Sequence, residues 1–276
     1  KFKSETYKVE ISLTGQNVDH FGDPEKWSYD IKVKGGRTIK GMRKFKLLVP
    51  HARGYLTDWI GTTLSKSRSL IGLRQDFVDV VVNGSNMGIY YLEEKFDKIL
   101  IESNGKKEGI IFRLVDNEIT PYQKSRGINN YELNSQLILL KKLWKAYLTN
   151  QIGAQNIFDL KKMASLAAIT DLLRSKHGQM AGNQRFYFNP ITNLVEPIQM
   201  ESGYLFDTSK DFGIIPYDLP EALHIDRNNK NARYYEEIDK SLVWRRLNEN
   251  MLFLEHYVHE ALILSDKDYL DSILNY

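Results

Sequence analysis

The sequence predicts an α+β chain with a mainly antiparallel β part over residues 1–115 and a mainly helical part over residues 116–276. Three observations carry this expectation. Alternating, β-branched runs crowd the first part. Apolar residues recur at helical spacing after Pro121. No repeat, low-complexity tract or long linker separates the two parts, so they read as one domain with a shared core.

Each element has its own signal. "YKVEISLTG" alternates, and so does "WSYDIKVKGG", which closes on a Gly-Gly turn. "KFKLLVP" is a short strand stopped by Pro50. "RGYLTDWIGTTLSKSRSL" predicts a helix with Leu56, Trp59, Ile60 and Leu64 on one face. "FVDVVVNGSNMGIYYLEE" is the clearest hairpin, with two β-rich runs around Asn83-Gly84-Ser85-Asn86. "FDKILIES" predicts a short helix and "GIIFRLV" a further strand. In the second part, "NSQLILLKKLWKAYLTN" places Leu140, Leu143, Trp144 and Tyr147 at helical spacing. "NIFDLKKMASLAAITDLLRS" starts near Asp159 and is apolar on most faces, which predicts a buried helix. "QRFYFNPITNLVEPIQM" reads as strand, turn and strand. The tail from Tyr234 to Tyr276 predicts two or three packed helices.

Composition excludes some chemistry. The chain has no cysteine among its 276 residues, which removes disulfides, thiolate nucleophiles and Cys-ligated metals. A formal net charge of +3 is too weak to argue for nucleic acid, so no nucleic-acid partner is expected. No apolar run approaches the ~20 residues that span a bilayer. "KFKSETYKVEISL" lacks the apolar centre of a signal peptide. It reads as a strand entered almost at once, which suggests a chain trimmed of a leader or anchor.

The hairpin and its continuation resemble the spore-coat-protein-H (CotH) kinase family, in particular its longer bacterial envelope-associated members. Phe77, Asn83, Gly84, Gly88, Tyr90, Leu92, Glu94, Asp97 and Lys98 fit that family's hairpin and the D-K pair after it. Three more segments agree in order. Lys26, Ser28, Tyr29, Ile31 and Lys32 sit on the family's early K-x-S-F-x-I-K strand, with Tyr29 for Phe. "GMRKFKLLVPHARGYLTDW" is similar to its G-M-x-x-F-x-L-x-x-P-x-x-R stretch. "HGQMAGNQRFYFNPITNLVEPI" is similar to its H-x-x-x-x-x-N-x-R-F-Y-x-N-P-x-T-x-x-x-E-P-I run. The resemblance implies a protein-kinase-like, two-lobed fold that binds ATP with Mg2+ or Mn2+ and phosphorylates serine in secreted coat proteins. It also implies an extracytoplasmic setting, in the cell envelope or secreted, with a protein or glycan acceptor at the cell surface.

Phosphoryl transfer needs cations for the triphosphate, oxygen ligands for the metal and a group to orient or deprotonate the acceptor hydroxyl. Lys26, Lys32, Lys46 and Arg113 are the phosphate candidates. Lys32 is the first choice, with Glu94 expected to hold its ammonium as a strand lysine is paired in kinases; the plainer alternative is a solvated strand lysine. Glu93 and Glu94 adjoin on a strand, so they face opposite sides and at most one enters a cleft.

For the metal, the resemblance points to Asn183, which ends the family's catalytic-loop motif, and to Glu201, where the family more often carries Asp. Otherwise Asn183 is a turn residue after Gly182. "DFG" at Asp211–Gly213 matches a kinase motif in spelling, but no apolar strand leads into it; Asp207 is a similar outside candidate. The family's usual base, an Asp five residues before the Asn, falls on Gly178. That leaves His177, one residue earlier, and Asp171 as candidates to serve the acceptor. This departure keeps open a catalytically silent, pseudokinase-like module for binding or assembly at the envelope. A third alternative is an unrelated carbohydrate-binding or nucleic-acid-binding protein. Its sixteen tyrosines and four tryptophans would supply stacking platforms, although most aromatics fall at buried-looking positions.

Overall fold

The computed structural model describes residues 2, 5–15, 20–122, 130–175, 177–180, 182–202 and 241–274. The alternating segments of the first part form one antiparallel sheet. It contains β1 (Val9–Leu13), β2 (Tyr29–Val33), β3 (Lys44–Leu48), β5 (Gln75–Val82) and β6 (Ser85–Glu94), in the order β1-β2-β3-β6-β5. The β5–β6 hairpin turns on Asn83 and Gly84, at φ of 51° and 88°. Both residues of a type I′ turn need positive φ, and Asn-Gly supplies it at low cost.

A second sheet draws on both halves of the chain. β4 (Ile71–Gly72) lies parallel to β10 (Leu194–Gln199). β10 pairs antiparallel with β9 (Phe186–Asn189), β9 with β7 (Ile110–Val115), and β7 with β8 (Glu118–Pro121). Strands before and after residue 115 therefore share one ladder.

The helices are α1 (Thr57–Ser67), α2 (Lys98–Ser103), α3 (Tyr131–Leu148), α4 (Leu160–Leu172), α5 (Leu242–Asn248), α6 (Met251–Ser265) and α7 (Lys267–Leu274). Short polar side chains start several of them. Asp97 accepts from the Ile99 N–H, Asn130 from Glu132 and Leu133, Asp159 from Lys162, and Asn250 from Phe253. Each satisfies a backbone donor left over at a helix start, worth about 1 kcal/mol. The chain is thus α+β, as its patterning predicts.

The main core fills the space between one face of the second sheet and the helices. Phe112, Leu114, Phe186, Phe188 and Val195 meet Leu140, Trp144, Met163, Ile169, Trp244 and Phe253 there. The sheet's other face carries Ile71, Ile111, Tyr187, Ile198 and Met200, packed with Leu100 and Ile101 of α2. In α1 the expected face is corrected. Leu64 is buried, but Leu56 is 58% exposed, and the buried stripe is Asp58, Gly61, Thr62 and Ser65. Small and polar residues are needed on that stripe because α1 approaches the end of β10 closely. A Cβ on Gly61 would come within 2.5 Å of Ser202 Oγ, and Thr62 Oγ1 donates to Gln199 Oε1 at 2.6 Å.

Candidate active site

Register decides which lysine meets which glutamate. On β3 and β6, Lys46 stands directly across from Glu93. Facing pairs on one side of a sheet sit close enough to interact, and Lys46 Nζ lies 3.1 Å from Glu93 Oε1. Lys32 is one strand farther out, opposite Lys44. Its ammonium is 3.6 Å from Glu10 and about half exposed. Glu94 points to the other side, where it takes Arg74 Nε at 2.9 Å and Arg74 N at 3.1 Å, with Arg74 Nη2 also in contact. The expected Lys32–Glu94 pair is therefore corrected: the strand lysine facing a buried glutamate is Lys46, and the glutamate is Glu93. Lys26 lies elsewhere, donating to Ile89 O at 2.9 Å and resting over the Tyr90 ring.

From Glu93 a chain of alternating charge runs toward the end of β10. Arg53, 4% exposed, closes the short turn Pro50–Arg53. It donates through Nε to Glu93 Oε2 at 2.6 Å and through Nη2 to Glu93 Oε1 at 3.3 Å and Glu201 Oε1 at 3.4 Å. Glu201 Oε2 is 2.9 Å from His177 Nδ1. His177 Nε2 is 3.2 Å from the Asn183 amide nitrogen, which also donates to His177 O at 3.3 Å. Lys46, Glu93, Arg53, Glu201, His177 and Asn183 thus form one connected series across the two sheets. Sequence reasoning missed Arg53 and Glu93 as members. The signals were present: Arg53 is the Arg of the P-x-x-R stretch, and Glu93 is forced by alternation onto the face opposite Glu94.

The electrostatics follow from burial and pairing. Burial alone raises the Glu201 carboxyl, but the His177 ring and the charges of Arg53 and Lys46 outweigh it and hold its pKa at about 2. Burial also opposes ionisation of Glu93, yet Arg53 and Lys46 keep it below the usual carboxylate range. Arg53 is held charged, because Glu93 and Glu201 outweigh its burial. Behind it lies Asp58, fully buried. Burial raises the Asp58 carboxyl against the pull of Arg53. Asp58 accepts from Ser202 N at 2.7 Å, Gln75 Nε2 at 2.8 Å and the Tyr91 hydroxyl at 3.0 Å. The Ser202 bond fixes the backbone just after Glu201, whose φ of 56° is left-handed. A non-glycine residue persists there only when its surroundings over-determine it.

A divalent metal needs hard oxygen donors. The Glu201 carboxyl is held well below the usual carboxylate range, and the nitrogen of the Asn183 carboxamide is engaged by His177. Among the described residues no group of three or more His, Asp or Glu forms a metal cage. Both Glu201 oxygens already meet Arg53 and His177, so the set would hold only a hard ion of the magnesium type, one that takes one or two side-chain oxygens and completes its shell with phosphate and water. Bound there, such an ion would neutralise phosphate charge.

Two candidates for serving the acceptor are placed differently. His177 is in the series. Asp171, near the end of α4, accepts from the Tyr257 hydroxyl of α6 at 2.7 Å, a contact that ties two helices together. At Gly178 there is no room for the family's usual Asp: a Cβ would come within 2.5 Å of the Met200 carbonyl oxygen. Gly178→Asp is therefore expected to lower stability by about 1–3 kcal/mol through overpacking, with Gly178→Ala doing nearly as much. Urea unfolding checks this, and a neutral Gly178→Ala would refute the packing account. Asp207 and Asp211 lie outside the described residues.

The sequence profile of the CotH kinase protein family matches residues 15–164. The chain belongs to the CotH kinase family. Its function is accordingly kinase-like. The CotH match takes in Lys46, Arg53 and Glu93 and ends before His177, Asn183 and Glu201. No curated protein matches the chain.

Proposed function

We propose that this CotH-family chain is an ATP-dependent phosphotransferase that uses Mg2+ or Mn2+ and passes phosphate to a serine of a protein, or to a glycan, at the bacterial cell envelope. The observation that supports it is the single series from Lys46–Glu93 through Arg53 to Glu201, His177 and Asn183. Lys46 supplies an ammonium for the nucleotide phosphates, oriented by Glu93. Glu201 and Asn183 supply oxygens for the ion. His177 stands beside both, where an imidazole could take a proton from an acceptor hydroxyl. An extracytoplasmic location is part of the proposal and rests on the resemblance to envelope-associated members. The division into lobes at residues 1–115 and 116–276 is also part of the proposal, with the second sheet, which draws strands from both sides of residue 115, joining the two. No helix among the described residues is long and apolar enough to cross a membrane.

Calorimetry with ATP and either ion tests the reading. Saturable binding that disappears in a chelator is expected; no heat at millimolar nucleotide overturns it. A second reading, a silent binding module, is favoured by the closed space at Gly178 and by the engagement of Asp171 with Tyr257. A phosphate-transfer signal present in the wild type and abolished by Asn183→Ala would remove it.

A further inference from the structure

The stretch from Lys32 to Lys46 carries seven cations, and the sequence has no Asp or Glu between Asp30 and Asp58. The formal net charge of the whole chain is only +3, so positive charge is concentrated here rather than spread. Register sorts the stretch by face. Ile31, Val33 and Phe45 point into a small apolar cluster with Leu92. Asp30, Lys32, Lys44 and Lys46 alternate onto the opposite face. Lys32 stands directly across from Lys44, and Lys46 across from Glu93. Lys34 reaches the same face, where its ammonium and that of Lys32 share Glu10. Arg113, by contrast, lies in the second sheet, opposite Thr120.

This face is open at its outer end and closes toward the site. The side chains of Lys32 and Lys34 are 49% and 39% exposed, and Lys44 is exposed, whereas Lys46 is at 24% and Glu93 at 4%. The carboxylates on it are shared. Glu10 serves two lysines, Asp30 meets Lys95, and Glu93 is divided between Lys46 and Arg53. Like charges directly across two strands are unfavourable. The fold therefore gains nothing from setting Lys32 opposite Lys44, and an anion lying over both relieves the repulsion.

We propose that the lysine face of β1, β2 and β3 docks the acceptor, and that the acceptor is an acidic segment of polypeptide whose carboxylates settle on Lys34, Lys32 and Lys44 with its serine directed toward Lys46 and His177. The spacing suits an extended chain. Lys44 is two residues and Lys34 four residues along the sheet from the row of Lys46, about 7 and 13 Å at the rise of a strand. Acidic side chains at every second position of an extended peptide repeat at about 7 Å and keep step with them. The groups already seated on these ammoniums, Glu10 and Asp30, are carboxylates at the surface or half-buried, so an incoming carboxylate replaces like with like. Lysine offers a point charge rather than the paired fork with which arginine grips phosphate, which favours carboxylates over a phosphate-bearing glycan. A basic segment is repelled. The inference rests on the phosphotransfer reading for calling the partner an acceptor, but the docking face is testable without it.

The experiment is fluorescence anisotropy with labelled serine peptides: one with Glu at alternate positions on both sides of the serine, one with Gln there and one with Lys, with a glycerol-phosphate polymer as competitor. The wild type is expected to bind the Glu peptide most tightly and to lose it as salt rises. Lys44→Glu and the double variant Lys34→Gln/Lys44→Gln should each weaken it roughly fivefold, the scale of one or two exposed charge pairs. Glu10→Gln should tighten it, a gain that a merely structural role does not produce. Calorimetry with ATP and Mg2+ should give the same affinity for all these variants as for the wild type. Melting curves confirm that the variants fold, as their exposed positions allow. Equal binding of the three peptides, or Glu-peptide affinity indifferent to the substitutions, overturns the docking face. Tighter, lysine-dependent binding of the glycerol-phosphate polymer overturns the peptide as its occupant. ATP affinity that falls together with peptide affinity assigns these lysines to the nucleotide and overturns the inference while the nucleotide reading stands. Lysine-dependent binding of the Glu peptide without ATP binding does the reverse.

Discussion

Arg53→Met is expected to destabilise the chain by about 3–5 kcal/mol, the cost of removing one partner from a buried ion pair. For a chain of this size that corresponds to a fall in melting temperature of roughly 10 °C. The reasoning is local. Arg53 is the only positive group in contact with both Glu93 and Glu201 among the described residues. Methionine fills much of the same volume but leaves Glu93, 3% exposed, with Lys46 alone. Glu201 keeps His177. The double variant Arg53→Met/Glu93→Gln should be less destabilised than the sum of the two singles, because each removes the other's unpaired charge. A single-variant loss below about 1 kcal/mol would mean that Arg53 is not the link described above.

Much of the fold was legible because local signals agree with the tertiary outcome. Asn83-Gly84 gives its turn by backbone chemistry alone, and Asp159 gives a helix start by capping. Leu140, Trp144 and Tyr147 lie one helical turn apart and are all buried. The site was legible only in part. The resemblance carried His177, Asn183 and Glu201, and the structure brings all three together. It led to Lys32 as the first choice over Lys46, whereas the lysine that meets a buried glutamate is Lys46. Both sit on alternating strands, and the choice depends on β6 lying beside β3, an order set by non-local pairing. Adjacency was equally blind for Glu93 and Glu94: alternation separates them, but only the neighbouring strand says which one meets a lysine. The α1 face failed for a related reason. Its apolar residues suggested a stripe through Leu56, whereas close approach to Ser202 required Gly61 and polar neighbours on the buried side.

Glu201→Gln is expected to have the largest effect on function. The substitution keeps the shape and removes the charge that faces Arg53 and His177. Metal-dependent ATP binding should fall at least ~10–100-fold, the range already seen when a group merely supporting a metal ligand is lost. The same variant reports on stability through pH. Glu201 has a folded pKa of about 2 against an ordinary 4.5, and its side chain is only 17% exposed. A depressed carboxylate contributes stability that is fully present above its unfolded value and is lost as pH falls through the folded one. That contribution is of order 3 kcal/mol and should disappear between about pH 4.5 and pH 2. Glu93 acts in the same direction. Asp58 acts in the opposite one, since its raised carboxyl favours the protonated form. The difference between wild type and Glu201→Gln isolates the one residue from these neighbours. Urea midpoints measured from pH 7 down to pH 3 should converge as the acid side is approached, because glutamine has nothing to titrate. Parallel curves, with a constant gap at every pH, would mean that Glu201 is not held ionised by Arg53 and His177, and its assignment as an oxygen ligand for a cation would fall with that.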